Sequence, residues 1–368
     1  MQRIGFGLIG LGRQADWAHA RAIRHSGLGA IEAICDTDEA LLARRAREYG
    51  VPDERCFTHY ADLLACPAVE AVTIGTPNRL HAPVALAAAA SGRHVFCEKP
   101  LAMDAAEARQ MLEAVRRAGV RHMTAFTYRF VPAMRYLREV VAAGVLGAPR
   151  IVRSRRLLDW GEASLGWRQV RAEGGPGGDL ADMASHRIDF AQSMFGPVEA
   201  VQGLTRLFVP ERTLPGGGRQ AAEVNDWCAF IAEFADGLVG VFESTKVAWG
   251  YGQGDRAPDE FEVHGANGSA RYSLGEPYRL ELGAMGGQMR PEEVPAACRA
   301  PLAAGAAPLS ADPSQAFREN QMYGFIEAIR EGRDCSPSFL DGARVMAVID
   351  AILRSAELRR SVPVERID

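Results

Sequence analysis

Residues 3–15, RIGFGLIGLGRQA, decide how the first part of this chain folds. The apolar run Arg3–Ile9 predicts a buried strand, and the glycines after it predict a tight turn into a helix. Gly10, Gly12 and Ala15 match the G-x-G-x-x-G/A pattern of dinucleotide-binding loops. In that pattern the first glycine permits the turn, the second lets the backbone approach a pyrophosphate, and the alanine allows the helix to pack closely on the strand.

The residues after Gly12 complete this loop. A helix N-terminus directed at the phosphates stabilises their negative charge, and Arg13 and Gln14 lie where the chain enters that helix. Both are therefore candidate contacts of a bound dinucleotide. Glycine-rich turns also occur without a cofactor, so the pattern needs support from the next strand.

Asp36 supplies that support. The second predicted strand ends with AICD, so Asp36 lies about twenty residues beyond the loop, where a carboxylate bonds the ribose hydroxyls of a dinucleotide. The alternative is that Asp36 helps to cap the next helix together with Thr37 and Asp38. A carboxylate would repel a 2′-phosphate, and neither Arg nor Lys follows Asp36 directly. We therefore expect NAD as the cofactor and expect NADP to be disfavoured.

Strand and helix patterns alternate through residues 1–125. This alternation predicts a parallel, doubly wound sheet, that is, a Rossmann domain of the α/β class. The further predicted strands are Ala30–Cys35, Val69–Ile74, His94–Cys97 and Arg121–Ala125, with a weaker one near Cys56–Thr58. The predicted helices are Trp17–His25, Asp38–Tyr49, Asn78–Ser91 and Asp104–Ala118.

The pattern changes in residues 126–368. Longer alternating runs predict an α+β domain with a large, predominantly antiparallel open sheet, one face of which can remain exposed. The predicted strands are Arg150–Leu157, Val198–Phe208, Trp227–Phe234, Val239–Val247, Phe261–His264 and Ser269–Ser273. The predicted helices are Pro132–Ala143, Leu180–Phe195, Gln315–Glu331 and Leu340–Arg359, and the predicted loops are Pro210–Gln220 and Met285–Pro313.

Composition narrows the class of protein. The 368 residues are 48% hydrophobic and 24% charged, as in an ordinary globular protein. A formal charge of −4 gives no electrostatic reason to expect nucleic acid or an anionic membrane as a partner. We find no apolar run of about eighteen residues that could span a membrane. The seven cysteines include no C-x-x-C pair, so we expect no metal site, but reduced thiols in a cytoplasmic protein.

Two further strand ends carry polar residues, and ligands of parallel sheets bind beyond the carboxyl ends of the strands. Thr76, Pro77 and Asn78 follow one such strand and are candidate cofactor contacts. Asn78 also suits the N-cap of the next helix. His81 lies in the first turn of that helix, where it either makes a structural hydrogen bond or belongs to the site.

The fifth strand ends with Glu98, Lys99 and Pro100. Pro100 restricts the backbone of Lys99 to extended geometry, and a cis bond is compatible with this position. An ammonium beside a reacting hydroxyl would stabilise developing negative charge. Glu98 suits either a pair with Lys99 or a hydrogen bond to a ribose. The alternative is a salt bridge that only closes the strand.

These residues resemble a known family, that of glucose–fructose oxidoreductase, inositol dehydrogenase and the MocA-like proteins. The resemblance covers nearly the whole chain and includes a distinctive combination, the EKP motif followed downstream by an Asp and a His four residues apart. The matching segments are Gly10–Gly12, Thr76–His81, Glu98–Pro100, Tyr128–Pro132, Trp167–Arg168, residues 177–189 and residues 261–272.

The resemblance implies hydride transfer between a nicotinamide and the hydroxyl-bearing carbon of a sugar or polyol. It also implies that Lys99, Asp182 and His186 occupy the catalytic positions, and that subunits associate through the open sheet. Asp182 and His186 share one face of the predicted helix, and a histidine that titrates near neutrality suits a general base. The alternative for His186 is a structural histidine beside an ion pair.

In the expected mechanism, the nicotinamide lies over a pocket between the domains. His186 removes the hydroxyl proton, Lys99 bonds the same oxygen, and Asp182 orients the substrate or the imidazole. The candidate pocket walls are Tyr128, Trp167 and Arg168, and Arg168 is also a candidate cofactor contact.

Asp179 stands where the family usually has a third glycine, and we interpret Asp179 and Asp189 as solvated or structural. Strand alternation places Arg153 and Arg155 on one face of the sheet and Arg156 on the other. An arginine that reached the pocket would favour an acidic sugar, but we expect these arginines to lie at the surface.

Several questions stay open at this point. The substrate could be inositol, an aldose, an anhydrosugar or a sugar acid, and the chain could form a homodimer or a homotetramer. Two other functions fit the same motifs, a regulator that senses NAD or a sugar without turnover and an enzyme that cleaves glycosides with the help of recycled NAD.

Overall fold

The structure is a computed structural model and describes residues 3–164, 166–253 and 258–368. The chain forms two compact units, which we call the first and the second unit. The first unit comprises Met1–Ala102, Ala106–Phe130 and Ala300–Ala343, and the second comprises Met103–Ala105, Val131–Arg299 and Arg344–Asp368. The division of the sequence into residues 1–125 and 126–368 stays a prediction about its functional domains.

The α-helices of the described residues are numbered in chain order. They are α1 (Arg21–Ser26), α2 (Glu39–Tyr49), α3 (Tyr60–Ala65), α4 (His81–Ala90), α5 (Ala105–Ala118), α6 (Pro132–Ala142), α7 (Arg171–Gly174), α8 (Ser185–Phe195), α9 (Ala296–Arg299), α10 (Pro313–Glu331) and α11 (Phe339–Leu358). Among these described helices, none combines the length and the apolar character that crossing a membrane requires.

The strands are also numbered in chain order. They are β1 (Ile4–Ile9), β2 (Gly29–Cys35), β3 (Cys56–Phe57), β4 (Ala71–Ile74), β5 (His94–Cys97), β6 (His122–Thr124), β7 (Pro149–Leu157), β8 (Val198–Arg206), β9 (Glu211–Thr213), β10 (Arg219–Ala221), β11 (Trp227–Phe234), β12 (Val239–Thr245), β13 (Asp259–Gly265), β14 (Gly268–Ser273), β15 (Arg279–Ala284), β16 (Arg290–Glu293) and β17 (Val362–Pro363).

The first unit contains a six-stranded sheet with the order β3-β2-β1-β4-β5-β6, and every pair in it is parallel. Every residue of β1 and of β4 is buried, as expected for strands covered on both faces. This topology confirms the predicted Rossmann class.

The core of the first unit includes a contact that the linear sequence pattern does not reveal. The ring of Phe325 in α10 lies 6.3 Å from that of Phe6 in β1 and 5.6 Å from that of Phe96 in β5, measured between centroids. A late helix of the chain thus packs on the early sheet. The cysteines of both units are all unpaired, and five of the seven are buried.

The second unit contains a nine-stranded mixed sheet with the order β16-β15-β14-β13-β7-β12-β11-β8-β17. Its neighbours pair antiparallel except for β7 and β12, which are parallel. The predicted α+β class with a predominantly antiparallel sheet is therefore confirmed.

The two predicted loops were wrong in part. The segment Pro210–Gln220 contains most of a short hairpin of β9 and β10, because Gly216, Gly217 and Gly218 all adopt the positive φ values that such a turn requires. The segment Met285–Pro313 contains β16 and α9, and β15 just before it was not predicted.

The two faces of the large sheet differ. On the covered face, Phe230 and Phe242 stack with ring centroids 4.7 Å apart. Gly203 there gives its backbone N–H to the Ser355 hydroxyl of α11 at 3.0 Å, and an added Cβ would clash with Ile352. The other face exposes the apolar side chains of Ile151, Leu204, Ile231 and Val241.

Candidate active site

Gly10 forms the turn that the sequence predicts after β1. Its φ is +82°, which favours glycine, and an added Cβ would lie 2.8 Å from the backbone nitrogen of Thr76. Gly75, which the sequence reading missed, similarly lets Ala15 approach, because its own Cβ would lie 3.3 Å from that of Ala15. The loop after β1 therefore packs directly on the loop after β4.

Gly12 has a different environment. An added Cβ there would meet no atom within 4 Å, so the backbone faces open space. Arg13 is exposed and Gln14 is half-buried, and the helical turn Ala15–Ala20 follows them into α1. An open backbone at a helix start provides the room and the N–H groups that a pyrophosphate requires.

Asp36 lies at the carboxyl end of β2 and contacts this loop. Its Oδ2 accepts a hydrogen bond of 2.7 Å from the backbone N–H of Leu11, and its Oδ1 accepts one of 3.0 Å from the N–H of Asp38. A carboxylate has about four acceptor positions, so these bonds leave room for ribose hydroxyls. The neighbouring Asp38 is the residue that caps α2, through a bond from Leu41 N–H.

The segment after β4 is held by His81. Its Nδ1 lies 2.9 Å from the carbonyl oxygen of Pro100 and its Nε2 lies 3.1 Å from that of Thr76. Burial lowers the pKa of His81, although both carbonyls act to raise it. The neutral ring donates its one N–H to one carbonyl at a time and ties the loop after β4 to the loop after β5.

Thr76 and Asn78 are placed by this arrangement. The hydroxyl of Thr76 makes no hydrogen bond to a described residue, which fits a place for an outside partner. Asn78 is buried and opens a 3₁₀ turn, Asn78–Leu80, so it does not cap α4, which begins at His81. The cofactor contacts predicted for Thr76, Pro77, Asn78 and His81 stay predictions.

Glu98 is buried at the end of β5 and has two donors. His19 Nε2 donates to its Oε1 at 3.0 Å, and the backbone N–H of Lys99 donates to its Oε2 at 3.2 Å. Burial raises the pKa of Glu98, but the hydrogen bond and charge of His19 and the charge of Lys99 outweigh it, so the pKa lies below its ordinary value.

Lys99 follows directly in a fixed backbone, since the Lys99–Pro100 peptide is cis. The side chain is half-buried. His19, which fixes the preceding glutamate, was not singled out from the sequence, although it stands on the first helical turn after the glycine loop.

Tyr128 belongs to the first unit, where it is buried with its ring centroid 5.9 Å from that of Phe317. The neighbouring Arg129 is buried and forms an ion pair with the half-buried Asp341, 2.8 Å from Nη2 to Oδ1. Burial raises the pKa of Asp341, but the charge of Arg129 and the bonds from Ser338 lower it below the ordinary value. The role of Tyr128 as a pocket wall stays a prediction.

In the second unit, Asp182 lies in a wide helical turn, Leu180–Ala184, that leads into α8. His186 is the second residue of α8 and is buried. The predicted helix Leu180–Phe195 is thus present as two segments with Asp182 and His186 in successive turns.

The turn that carries Asp182 is anchored on Asn225. The side-chain amide of Asn225 donates to the carbonyl oxygen of Gly177 at 2.8 Å, and its Oδ1 accepts from Leu180 N–H at 3.2 Å. Gly178 has a φ of +52°, and an added Cβ would lie 2.4 Å from the carbonyl oxygen of Asn225. The glycine loop therefore fixes where the turn begins.

Lys246 forms an ion pair with Asp182. It lies just after β12, and its Nζ is 2.8 Å from Oδ2 of Asp182. The sequence reading missed Lys246, but one signal was available, because the chain contains only two lysines, Lys99 and Lys246.

Asp179 and Asp189 are both buried, so the solvated alternative was wrong for each of them. Burial raises the pKa of Asp179 to about 6, although the charge of Lys246 and the nearby Ser244 hydroxyl lower it.

Trp167 and Arg168 lie in a 3₁₀ turn, Gly166–Gln169. The guanidinium carbon of Arg168 is 4.4 Å from the centre of the Trp167 ring, and its Nε is 3.9 Å from Oδ2 of Asp182. Arg168 is partly exposed, so solvent weakens this ion pair. Its contacts with cofactor and substrate stay predictions.

The predicted faces of β7 are confirmed. Arg153 and Arg155 are exposed, as expected, but Arg156 is buried, so the expected surface placement was wrong for it. Arg156 Nη1 lies 3.5 Å from Oδ2 of Asp259, and Arg187 also pairs with Asp259. These contacts give Arg156 a structural partner within the second unit.

Comparison with known proteins places these features in a family. Residues 4–126 match the oxidoreductase family with an NAD-binding Rossmann fold, GFO/IDH/MocA, and residues 134–271 match the GFO/IDH/MocA C-terminal domain. The chain is a member of this family. It is therefore an oxidoreductase with an NAD-binding Rossmann domain, as its motifs predict.

Two curated relatives match over nearly the whole chain, and a third matches over about three quarters of it. Levoglucosan dehydrogenase from Pseudarthrobacter phenanthrenivorans is 31% identical over 100% of both chains. Inositol 2-dehydrogenase from Rhizobium meliloti is 26% identical over 98% of this chain and 99% of that protein. The 1,5-anhydro-D-fructose reductase from Ensifer adhaerens is 34% identical over 72% of this chain and 74% of that protein.

Solved structures of the GFO/IDH/MocA family agree with this fold. Levoglucosan dehydrogenase in complex with NADH and L-sorbose matches with a TM-score of 0.89 at 31% identity and 100% coverage of both chains. An oxidoreductase domain protein from Kribbella flavida matches with a TM-score of 0.88, also at 31% identity and 100% coverage of both chains.

Proposed function

We propose that this chain oxidises a hydroxyl group of a sugar or polyol with NAD⁺, and reduces the matching carbonyl with NADH. The observation that carries the proposal is the helical turn of the second unit, where Asp182 is held by Lys246 and His186 follows in the next turn. An acid of fixed orientation and an imidazole in one segment suit proton transfer from a hydroxyl.

NAD supplies the hydride acceptor, which is chemistry that no side chain provides. The residues that would hold it are those of the loops after β1, β2 and β4. Gly12 leaves its backbone open to the pyrophosphate, Asp36 offers acceptors to the ribose hydroxyls, and the Thr76 hydroxyl makes no hydrogen bond to a described residue. Arg13 and Gln14 are proposed phosphate contacts at the helix start.

We assign three catalytic roles. His186 takes the proton of the reacting hydroxyl, because a neutral imidazole is the base that titrates near neutral pH. Lys99 donates a hydrogen bond to the hydroxyl oxygen and stabilises the negative charge that develops there. Asp182 holds the substrate or the imidazole in orientation. Buried Glu98, which directly precedes Lys99, stays ionised, since its pKa is lowered.

The substrate we favour is a cyclic polyol or anhydrosugar. Levoglucosan dehydrogenase and inositol 2-dehydrogenase are relatives over nearly the full chain. Trp167 and Arg168 supply an aromatic face and guanidinium donors in one turn, a combination that suits a ring with several hydroxyls. Tyr128 is a further proposed wall. Arg156 is already paired with Asp259, so we do not expect a preference for acidic sugars.

The test is a screen for NADH formation across levoglucosan, myo-inositol, aldoses and sugar acids, with 1,5-anhydro-D-fructose and NADH as the reverse arm. We expect turnover with a neutral cyclic polyol or anhydrosugar. Tight NAD binding without turnover on any of them would favour a regulator. NAD that stays bound and shows no net reduction during glycoside cleavage would favour the redox-assisted enzyme.

We also propose that the chain self-associates through the open face of the large sheet, as a homodimer or homotetramer. That face carries Ile151, Leu204, Ile231 and Val241 exposed side by side with charged residues, a composition typical of interfaces. Light scattering should give a multiple of 39.8 kDa, and Ile231→Asp combined with Val241→Asp should lower it. A monomeric wild-type protein would refute the proposal.

A cytoplasmic location is proposed on the basis of the cysteines. Seven unpaired thiols suit a reducing compartment, where disulfides rarely form. Cell fractionation with an antibody to the chain would test the location, and recovery in a secreted fraction would contradict it.

A further inference from the structure

Lys246 is a buried cation between two carboxylates. Its Nζ lies 2.8 Å from Oδ2 of Asp182 and 3.8 Å from Oδ1 of Asp179, and its side chain is only 4% exposed. The ammonium also lies 5.3 Å from the centre of the Trp160 ring. Charge, burial and an aromatic face together hold this side chain in one position.

The choice of lysine here is informative. Apart from Lys99 and Lys246, every Lys or Arg position of the chain is an arginine. A guanidinium is a planar fork that matches a single carboxylate in two parallel bonds, whereas an ammonium is a compact charge with three donors. A site that has to serve two carboxylates at different distances and directions is better served by the ammonium.

The two carboxylates are not equivalent. Asp182 is the closer one and remains partly accessible, while Asp179 has no exposed surface. The cation nearest to Asp179 lies beyond hydrogen-bond distance. An ionised Asp179 would be a fully buried negative charge without a hydrogen-bonded cation, which a low-dielectric environment disfavours. The pKa of Asp179 is accordingly raised to about 6.

The other charged groups described near Asp179 do not stabilise its ionised form. Asp226 directly precedes β11. Its Oδ2 lies 2.8 Å from Nη2 of Arg212, and its carboxylate also accepts hydrogen bonds from two backbone N–H groups. Burial raises the pKa of the Cys228 thiol well above its ordinary value, so it stays neutral. Arg168 lies on the side of Asp182, with its Nε 3.9 Å from Oδ2 of that residue. Lys246 is therefore the main charged group that favours the ionised form of Asp179.

We propose that Lys246 is a positioning residue that orients Asp182, and that Asp179 sets the strength of this hold by taking up or releasing a proton. The inference rests on the proposed role of Asp182 in catalysis. With Asp179 protonated, Lys246 pairs with Asp182 alone. With Asp179 ionised, Lys246 is shared, and Asp182 becomes freer to accept a hydrogen bond from the substrate or from His186.

The first experiment is a pH profile of kcat and KM for NADH formation between pH 5 and 8. The wild-type profile should contain an ionisation near pH 6 in addition to that of the base, and Asp179→Asn should lose it. Asp236→Asn removes an exposed loop carboxylate and serves as the matched control, with an unchanged profile. Superimposable profiles of wild type and Asp179→Asn would overturn the proposal.

The second experiment removes the cation. Lys246→Met should lower kcat at least tenfold with NAD affinity within twofold of wild type, and Lys246→Arg should restore part of kcat. Because Lys246→Met leaves two buried carboxylates without a cation, the double variant Asp179→Asn/Lys246→Met provides a version with less buried charge. A kcat within twofold of wild type in the double variant would refute the positioning role.

The third experiment needs no substrate. A carboxyl with a raised pKa binds its proton more tightly in the folded state, so its contribution to stability is lost as pH rises through about 6. The Tm of Asp179→Asn relative to wild type should therefore increase from pH 5 to pH 8. If no polyol is turned over but this trend appears, only the proposed function fails. If turnover occurs without the trend, only this inference fails.

Discussion

Each unit of the chain contains one lysine and, near it, a buried acid, but the two acids differ. Glu98 in the first unit accepts hydrogen bonds from His19 and from the N–H of Lys99, and its pKa is lowered. Asp179 in the second unit has its nearest cation 3.8 Å away, and its pKa is raised. Direct donors, more than the mere presence of a cation, decide which buried carboxyl remains ionised.

This difference gives the two acids different uses. Glu98 is an anion at neutral pH, because its pKa is lowered. Asp179 exchanges a proton in a range where many enzymes work. The comparison predicts that changes in the first unit alter binding and charge, whereas changes in the second unit alter the pH dependence.

The largest effects are expected at the proposed catalytic residues. His186→Ala should lower kcat by about 10²–10⁴-fold because the base is lost, and Lys99→Ala by about 10²–10³-fold because charge stabilisation is lost. NAD affinity should remain near wild type in both. Steady-state kinetics and NADH fluorescence titrations measure these effects. His264→Ala, in β13 beside Glu262, is the control, and wild-type rates in either variant would refute the mechanism.

Two substitutions in the glycine loop of the first unit separate an effect on stability from an effect on NAD binding. Gly10→Ala should destabilise the fold by about 1–3 kcal/mol, because φ is +82° and the new Cβ would meet backbone atoms at 2.8 Å.

Gly12→Ala should change stability by less than about 0.5 kcal/mol, because no atom lies within 4 Å of its Cβ position. It should nonetheless weaken NAD binding, since the methyl group would occupy the open space in front of the backbone. Unfolding midpoints and NADH titrations separate the two variants. Equal stability losses would show that the open backbone at Gly12 is misassigned.

The two buried acids should give stability changes of opposite sign. Glu98 has a lowered pKa, so its contribution is present above the unfolded pKa and is lost as pH falls through the folded pKa. Glu98→Gln should therefore destabilise at pH 7.5, on the order of 1 kcal/mol. Asp179→Asn should stabilise at pH 7.5, on the order of 1–3 kcal/mol, and this gain should shrink toward pH 4. Urea midpoints at both pH values test the pair, and equal signs would break the comparison.

The last prediction concerns cofactor choice. Asp36→Ala removes the carboxylate that would repel a 2′-phosphate, so the preference for NAD over NADP should fall by about tenfold, or about 1.4 kcal/mol. Initial rates with both cofactors measure the preference, and Asp38→Ala, which removes only the cap of α2, is the control. An unchanged preference in Asp36→Ala would mean that Asp36 serves only the loop, through Leu11.

The sequence predicted what depends on local pattern. Apolar runs and turns locate the parallel sheet, and the positions of Gly10, Asp36 and Lys99 follow from strand ends, because parallel strands place their carboxyl ends on one edge. Asp182 and His186 were also predicted together, because residues four apart lie on one face of a helix.

The site residues that were not predicted from the sequence are placed by contacts between distant segments. Lys246 reaches Asp182 because β12 pairs with both β7 and β11, and Asn225 supports the glycine loop from the segment just before β11. His19 reaches Glu98 through the packing of a helical turn near β5. A single sequence gives no register for such contacts, and only the scarcity of lysine marked one of them in advance.

The presence of just two lysines has a practical consequence. Besides the amino terminus of the chain, Lys99 and Lys246 are its only primary amines, and Lys246 is almost wholly enclosed. An amine-directed acylating probe applied to the folded protein should therefore label Lys99 in preference to Lys246. A fluorophore or an isotopic tag could be attached beside the proposed reaction centre without any engineered cysteine, and protection of that amine by a bound dinucleotide or sugar would report occupancy directly.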